Sequence, residues 1–187
     1  KIMDIHDKNT MAVFGDAATA TLMGNDSGAE IGNANLGTDG SQSMDLTVKA
    51  GGAAQPLFSI AHEQPVQFTK EDAALHMYGR GIFNFVMKNV PGSIAACLEQ
   101  NGETLESIDY FALHQGSRYM LEALAKNVGI PAEKMCYNIE HYGNTVSSTV
   151  PMLLEDLRDQ GKALPGTKVL VSGFGVGLSW ATNIVYF

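Results

Sequence analysis

The sequence is short of cysteine, tryptophan and basic residues, and it contains no long hydrophobic run. Its 187 residues include 2 Cys and 1 Trp, and 12 Lys and Arg residues stand against 20 Asp and Glu residues, for a net charge of −8. Two cysteines are too few for a disulfide framework, and an apolar run of roughly 18 residues would be needed to span a bilayer. Because nucleic-acid binding relies on a basic surface, the acidic balance argues against it. We expect a cytoplasmic protein with no membrane or nucleic-acid partner.

The rest of the composition is that of a globular chain. Hydrophobic residues make up 45% and charged residues 17%, which leaves no block of disordered composition. The length suffices for one domain of ordinary size or for a large part of a two-layer one. The chain starts at Lys1 without a signal-peptide pattern and soon enters an apolar segment. We therefore expect it to be a piece of a longer protein.

The first part of the chain gives a mixed pattern. The apolar residues of 10–23 predict two strands around the turn dipeptide Gly15-Asp16. Residues 24–69 are rich in Gly, Asn, Ser and Asp, which predicts loops with one or two short edge strands. From Lys70 the spacing of apolar residues becomes helical, and we expect Pro91 to break or kink that helix.

From Ser107 onward, predicted strands and helices alternate. They comprise strands at 108–113, 134–139, 168–172 and 179–187, with helices at 117–128 and 145–160 between the first three strands. Because such crossovers are right-handed, we expect the first three strands to be parallel neighbours in one sheet. The last strand follows a short turn and must run antiparallel. Sheets of this kind bind ligands beyond the carboxyl ends of their strands.

Polar side chains and a glycine turn follow the three parallel strands. His114 comes directly after the first, Asn144 after the second, and Gly173–Gly177 after the third. Histidine donates or accepts near neutral pH, asparagine supplies amide hydrogens, and N–H groups of a glycine turn commonly form an oxyanion hole. A donor cluster without a carboxylate suits negative charge on a carbonyl oxygen, as in an enolate or a tetrahedral intermediate.

Each of these features also has a purely structural explanation. His114 could be a structural histidine, and Gly143-Asn144-Thr145 a turn followed by a helix cap. Gly173–Gly177 could be a plain turn; a phosphate loop is a weaker interpretation, because it would have to open a helix and a strand follows instead. Their coincidence at three strand ends favours an active site.

No other residues predict catalytic or metal-binding chemistry. The remaining histidines lack the spacing of metal ligands, so we expect no metal. Cys97 lies in a helical apolar pattern and Cys136 within a predicted strand. Neither follows a strand into a helix N-terminus, where a thiolate would be stabilised, so both are expected in the core.

These motifs together resemble one enzyme family. Phe14-Gly15-Asp16, the pair His114-Gln115, the thirty-residue step to Gly143-Asn144-Thr145 and the block from Gly173 to Trp180 resemble the β-ketoacyl-acyl-carrier-protein synthase III family, whose members are thiolase-fold condensing enzymes. The resemblance implies the C-terminal half of an α/β thiolase-like fold, with a five-stranded mixed sheet and helices. It assigns residues 1–65 to the last strands of the N-terminal half and residues 66–187 to the C-terminal half.

The resemblance also implies roles for particular residues. His114 and Asn144 are implied as catalytic residues that hold the malonyl thioester carbonyl and stabilise the enolate, and the backbone N–H near Val176 as half of an oxyanion hole. Residues 115–119 are implied to bind the carrier protein or substrate, namely Gln115, Gly116, Ser117, Arg118 and Tyr119. Gly79 and Phe83 are implied to line the pantetheine tunnel, and Phe174 is implied to bind the carrier protein or substrate.

The activity implied is the decarboxylative condensation of an acyl-CoA-derived acyl group with malonyl-acyl-carrier protein in fatty acid biosynthesis. The implied partners are acyl carrier protein, acyl-CoA and a second copy in a homodimer, with no cofactor. The family's nucleophilic cysteine belongs to the N-terminal half, upstream of Phe14, so we expect this chain alone to be inactive.

One departure from the family pattern and several alternatives stay open. The family's arginine falls at the position of Tyr119, whereas here Arg118 precedes it; at about 100° per helical residue the basic group points elsewhere. Carrier docking would then be altered or lost. The alternatives are a catalytically silent partner subunit of a condensing heterodimer and a secondary-metabolite, polyketide-type condensing enzyme. Plant-type polyketide synthases and hydroxymethylglutaryl-CoA synthases fit less well, because their spacing between the histidine and the asparagine and their flanking residues differ.

Overall fold

Two long strands at the end of the chain form the centre of the main sheet. In the computed structural model, which describes residues 3–4, 6–8, 10–25, 28–53, 55–56, 68–69 and 71–187, β6 (Lys168–Gly175) pairs antiparallel with β7 (Ser179–Tyr186) over its whole length. The strand β5 (Tyr110–Leu113) lies parallel to β6. On the other side, the short strands β1 (Glu30–Ile31) and β2 (Asn35–Thr38) pair antiparallel with β7.

The sheet is mixed, as predicted, and has five strands within the described residues. Its composition differs from the prediction, because β1 and β2 come from residues assigned to the N-terminal half. Two further short strands, β3 (Leu46–Val48) and β4 (Leu75–Met77), pair with each other outside this sheet. The antiparallel turn from β6 to β7 was expected from the sequence, and β6 extends beyond the predicted 168–172. The boundary predicted after residue 65 stays a prediction, and residues 57–67 lie outside the described part.

Four α-helices accompany the sheet in the described residues. They are α1 (Gly79–Asn101), α2 (Arg118–Val128), α3 (Ile139–Tyr142) and α4 (Thr149–Asp159). The helix α2 has the predicted extent because Ser117 caps its N-terminus by accepting from the Met120 N–H, and Gly129 closes it with φ of 87°. None of the helices in these residues is long and apolar enough to cross a membrane.

The sheet is covered on both faces. Phe111, Leu113 and Leu170 pack with residues of α1 and α2 in the larger core. Ala112 and Val169 belong to a second cluster with residues of α4. Because successive side chains of a strand point to opposite faces, β5 and β6 divide their residues between the two cores, and the end of β5 is held from both sides.

The helical prediction from Lys70 is wrong in its start and in the effect of Pro91. The helix begins at Gly79, after β4, and it continues through Pro91 as one element of 23 residues. Proline in a helix interior removes a hydrogen bond. Burial outweighs that loss here, because Val90 on one side of Pro91 and Ile94 on the other are both completely buried in the larger core.

The predicted strand at 134–139 is also wrong. Residues 132–134 form a 3-10 turn, and Met135 makes only an isolated parallel bridge with Phe111. The side chain of Gln115 then takes the place of a strand ladder: its Nε2 donates to the Cys136 carbonyl at 3.3 Å and its Oε1 accepts from the Asn138 N–H at 3.2 Å. The segment therefore runs beside β5, where it is held by a main-chain hydrogen bond from the Cys136 N–H to the Phe111 carbonyl at 3.0 Å and by the side chain of Gln115.

The two strands predicted at 10–23 are absent from the described residues. Residues 15–24 form no strand, and Leu22 is 98% exposed. The only strand-like contact in this stretch is the bridge between Phe14 and Asn144. An apolar pattern gives a strand only where a second strand is available to pair with it.

The bridge at Phe14 fixes a distant loop. The Asn144 N–H donates to the Val13 carbonyl at 2.8 Å, and the Gly15 N–H donates to the Asn144 carbonyl at 2.9 Å. A Cβ on Gly15 would overlap the Tyr142 carbonyl oxygen. Glycine at this position thus allows residues 13–15 to lie directly against the loop that carries Asn144.

We expect Gly15→Ala to lower the free energy of unfolding by about 1–3 kcal/mol, because its methyl group forces the two main-chain segments apart. The matched control is Gly24→Ala, since a Cβ there meets no atom within 4 Å; it should change stability by less than about 0.5 kcal/mol. Urea denaturation of the three proteins measures both effects. Equal stability of the two variants would contradict the close approach at Gly15.

Candidate active site

His114 is fixed by the end of β5. Its main-chain N–H donates to the Ser172 carbonyl at 2.8 Å, which continues the parallel ladder by one residue. Its ring packs edge-on against Phe174, with centroids 5.3 Å apart and an interplanar angle of 88°. The strand and the aromatic ring together set the position of the imidazole.

Asn144 is fixed by hydrogen bonds at both its main chain and its side chain. The main chain is held by Val13 and Gly15, and the side-chain Oδ1 accepts from the Val146 N–H at 2.8 Å. The residue is 8% exposed. The amide Nδ2 has no hydrogen-bond partner among the described residues, so its hydrogens are available to a ligand.

A short hydrogen-bonded path joins the two side chains. The Thr149 hydroxyl lies 2.8 Å from His114 Nδ1 and donates to the Val146 carbonyl at 3.0 Å, while the N–H of the same Val146 binds Asn144. Val146 has φ of 56°, a left-handed conformation that a β-branched residue rarely adopts. In this conformation its N–H donates to Asn144 Oδ1, and its C=O accepts from the Thr149 hydroxyl.

His114 is uncharged at neutral pH. Burial lowers the pKa of its ring from 6.5 to about 4, and a hydrogen bond to the Val146 backbone opposes the shift only in part. Burial removes the water that would solvate the imidazolium, and no carboxylate among the described residues is placed to compensate its charge. The site therefore holds a neutral imidazole and a neutral amide, and it can bind a polar, uncharged group such as a carbonyl.

The glycine turn forms the rim of the site. Phe174 is 8% exposed and contacts His114, whereas Val176 is 67% exposed at the turn between β6 and β7. Leu178 anchors the turn by exchanging main-chain hydrogen bonds of 2.8 and 3.1 Å with Asp39. The oxyanion role of the Val176 N–H stays a prediction.

Residues 115–119 are divided between the interior and the surface. Gln115 is completely buried, and Ser117 caps α2 with its hydroxyl. Gly116 lies beside His114, since a Cβ on it would be 3.8 Å from Nε2. A side chain with no accessible surface cannot touch a docking partner, so only part of this segment is available for the predicted contact with a carrier protein.

Arg118 is exposed but already paired. Its guanidinium donates to Glu122 at 2.7 Å and to Glu140 at 2.8 Å, and it lies 3.7 Å from the ring centroid of Tyr137. Because one cation meets two carboxylates, this cluster offers no net positive charge to an acidic partner.

Tyr119, Phe83 and Gly79 lie where α1 and α2 meet the surface. Tyr119 is 74% exposed and stacks on Phe83 with a centroid distance of 5.6 Å. Gly79 is the exposed first residue of α1. The pair of rings forms an aromatic surface in place of a basic one, and the predicted substrate contact of these residues stays a prediction.

The two cysteines are poor nucleophiles in their surroundings. Cys97 is buried in α1, and burial raises the pKa of its thiol. Burial also raises the pKa of Cys136 to about 11. Thiolates are the reactive species, so neither residue is activated at neutral pH. In the part of the chain that the structure describes, no group of three or more His, Cys, Asp and Glu residues could hold a metal ion.

Sequence patterns missed Thr149, Val146 and Gly15. Thr149 stands in the run Ser147-Ser148-Thr149, which is typical of a helix start and conceals its contact with His114. The positive φ of Val146 has no sequence signal. Gly15 was expected as a hairpin turn, although its main role is contact with a loop that is distant in sequence.

Comparisons with known proteins identify what the chain resembles. Residues 98–187 match the sequence model of the family described as 3-oxoacyl-[acyl-carrier-protein (ACP)] synthase III C terminal, and residues 1–40 match 3-oxoacyl-[acyl-carrier-protein (ACP)] synthase III. The β-ketoacyl-[acyl-carrier-protein] synthase III of Streptococcus equi subsp. zooepidemicus is 38% identical over 187 residues, which are 99% of this chain and 55% of the relative. The chain thus spans about half the length of the curated relatives it matches.

Solved structures agree with this result. A 3-oxoacyl-(acyl-carrier-protein) synthase III crystal structure superposes with a TM-score of 0.82 at 36% identity, over 100% of this chain and 57% of that one. The Thermus thermophilus synthase III gives a TM-score of 0.77 at 26% identity, over 100% and 55%. The likeness confirms the thiolase-like fold class expected from the sequence.

The pKa of His114 predicts a pH dependence of stability. Between pH 6.5 and 4 the His114 side chain is protonated in the unfolded chain but stays neutral in the folded one. The free energy of unfolding therefore falls as the pH falls through this range, and His114 does not change it above pH 6.5. We expect His114→Gln to reduce the slope of unfolding free energy against pH by up to about 1.4 kcal/mol per unit near pH 5. Urea denaturation between pH 4 and 7.5 measures it, and identical slopes would contradict the shift.

Proposed function

Because this chain belongs to the 3-oxoacyl-[acyl-carrier-protein] synthase III family, we propose that it carries the decarboxylation site of a decarboxylative condensation in fatty acid synthesis. In that reaction an acyl group from acyl-CoA is first held as a thioester on a cysteine. Malonyl-acyl-carrier protein then loses CO₂, and the resulting enolate carbon attacks the acyl thioester. Collapse of the tetrahedral intermediate releases the cysteine thiolate and the 3-oxoacyl-carrier protein.

The observation that carries the proposal is the paired placement of His114 and Asn144. Both side chains are fixed through Val146, and the Asn144 amide hydrogens are unpaired among the described residues. Decarboxylation moves negative charge onto the thioester oxygen, and a preorganised donor in a site of low polarity stabilises such charge. Asn144 is the donor proposed for the enolate oxygen, and His114 is the second polar group at the malonyl thioester.

We propose that the nucleophile of the first step is a cysteine outside this chain. Cys97 and Cys136 have raised thiol pKa values, and the relatives are about twice as long as the region they share with this chain. The acyl carrier protein, acyl-CoA and a second copy of the full-length protein are the proposed partners. A silent partner subunit would have no need of two polar groups fixed this closely.

In the full-length synthase that carries this sequence, we expect Asn144→Ala to lower malonyl-carrier-protein decarboxylation about 10²–10³-fold, as loss of one oxyanion donor does. Release of labelled CO₂ measures decarboxylation, and intact mass measures acyl loading, which should persist. The matched control is Asn127→Ala on the exposed face of α2, which should leave both unchanged. Unaltered CO₂ release in Asn144→Ala would overturn the proposed site.

This chain alone is expected to form no acyl thioester when incubated with acyl-CoA at pH 7.5, because both of its thiols are protonated. Intact mass spectrometry before and after hydroxylamine treatment measures it. The double variant Cys97→Ser with Cys136→Ser is the control for non-thioester acylation. Stoichiometric acylation that the double variant loses would show that the chain contains its own nucleophile.

A further inference from the structure

Gln115 is a polar side chain without access to solvent. It follows His114 at the end of β5 and is completely buried. Its Nε2 donates to the carbonyls of Leu113 at 2.8 Å and Cys136 at 3.3 Å, and its Oε1 accepts from the Asn138 N–H at 3.2 Å. An amide turned the other way would set its oxygen against two carbonyls and its NH₂ against an N–H. The side chain therefore fits in one orientation and leaves no polar atom for a carrier protein or a substrate.

Asn138 extends this support to both sides of the loop that carries Asn144. It directly precedes α3, and its carbonyl accepts from the N–H groups of His141 and Tyr142 in that helix. Its side-chain Nδ2 donates to Asp156 Oδ2 of α4 at 2.7 Å. Because Asn144 lies between α3 and α4, a single residue connects the two helices that flank its loop.

Gln115 and Asn138 together join the two strand ends of the site. His114 is next to Gln115 in the chain, and Asn144 lies in the loop that Asn138 supports. Without the Gln115 amide, the Asn138 N–H would be left buried without its partner, which costs free energy. The start of α3 would then lose its connection to the end of β5.

We propose that Gln115 is a positioning residue that sets the separation of His114 and Asn144, in place of the predicted contact with a carrier protein or substrate. The inference rests on the proposed function, in which both side chains act at the malonyl thioester. A group misplaced by about 1 Å can lower a rate about 10²-fold. Gln115 therefore contributes to the rate of decarboxylation without touching the substrate.

Kinetics of the full-length synthase that carries this sequence distinguish the two roles. We expect Gln115→Met, which keeps the length of the side chain but lacks the amide, to lower kcat for CO₂ release about 10-fold or more. The KM for malonyl-carrier protein should change less than about 2-fold. The matched control is Gln100→Met at the exposed end of α1, which should alter neither constant. A residue that binds the carrier protein would raise KM with kcat unchanged, and that result would overturn the proposal.

Hydrogen exchange in this chain tests the positioning without a substrate. The Val146 N–H reports on the loop because it donates to Asn144 Oδ1, and the Leu170 N–H reports on the centre of the sheet. We expect Gln115→Met to speed exchange at Val146 about 10-fold more than at Leu170, because the loop loses its support while the sheet stays folded. Equal changes at the two sites would show a general loss of stability and would contradict the positioning role.

Asp156 supplies a second variant in case Gln115→Met does not fold. Asp156→Ala removes the acceptor of the Asn138 side chain and should also speed exchange selectively at Val146. Asp156→Asn keeps an acceptor oxygen and should restore the wild-type rate. Unselective exchange in Asp156→Ala would overturn the network. Because exchange needs no substrate, its failure is separate from that of the proposed function, which the CO₂ release of Asn144→Ala decides.

Discussion

The conformation of Val146 is the constraint on which the rest of the site depends. A β-branched residue at φ of 56° costs of order 1–3 kcal/mol and persists only where its surroundings determine it. Here the N–H of Val146 binds Asn144 and its C=O accepts from Thr149. If this residue took ordinary helical angles, the two peptide groups would turn away, and Asn144 and His114 would lose their common support.

The stability that offsets this strain comes from the two cores. Leu153 and Leu157 bind α4 to one face of the sheet, so the start of that helix, where Thr149 lies, cannot move freely. Phe111 and Leu113 bind β5 from the other face and thereby fix His114. A fold that buries both faces of its sheet can hold a strained turn between two rigid elements, and the polar groups of the site need little reorganisation when charge develops.

Sequence periodicity predicted the elements whose partners are close along the chain. The helix α2 and the turn between β6 and β7 are determined locally, by a serine cap and by glycines. The strand prediction was wrong where strand pairing depends on residues that are distant in the sequence. Residues 134–139 have the apolar character of a strand, but Gln115 occupies the hydrogen-bonding groups that a ladder would use. No residue pattern predicts that a side chain 21 to 23 positions earlier replaces a strand.

The same reasoning explains which parts of the family resemblance transfer to this chain. A role that depends on the position of a strand end, as at His114, follows from the fold that the relatives share. A role that depends on the surroundings of a side chain does not follow from the shared fold, because neighbouring residues differ between relatives. Arg118 would have to offer positive charge to an acidic carrier protein, yet Glu122 and Glu140 neutralise it, and the exposed Tyr119 stacks on Phe83 beside it. If the predicted docking occurs on this face, we expect it to depend on aromatic contact more than on charge, and its affinity to vary little with salt.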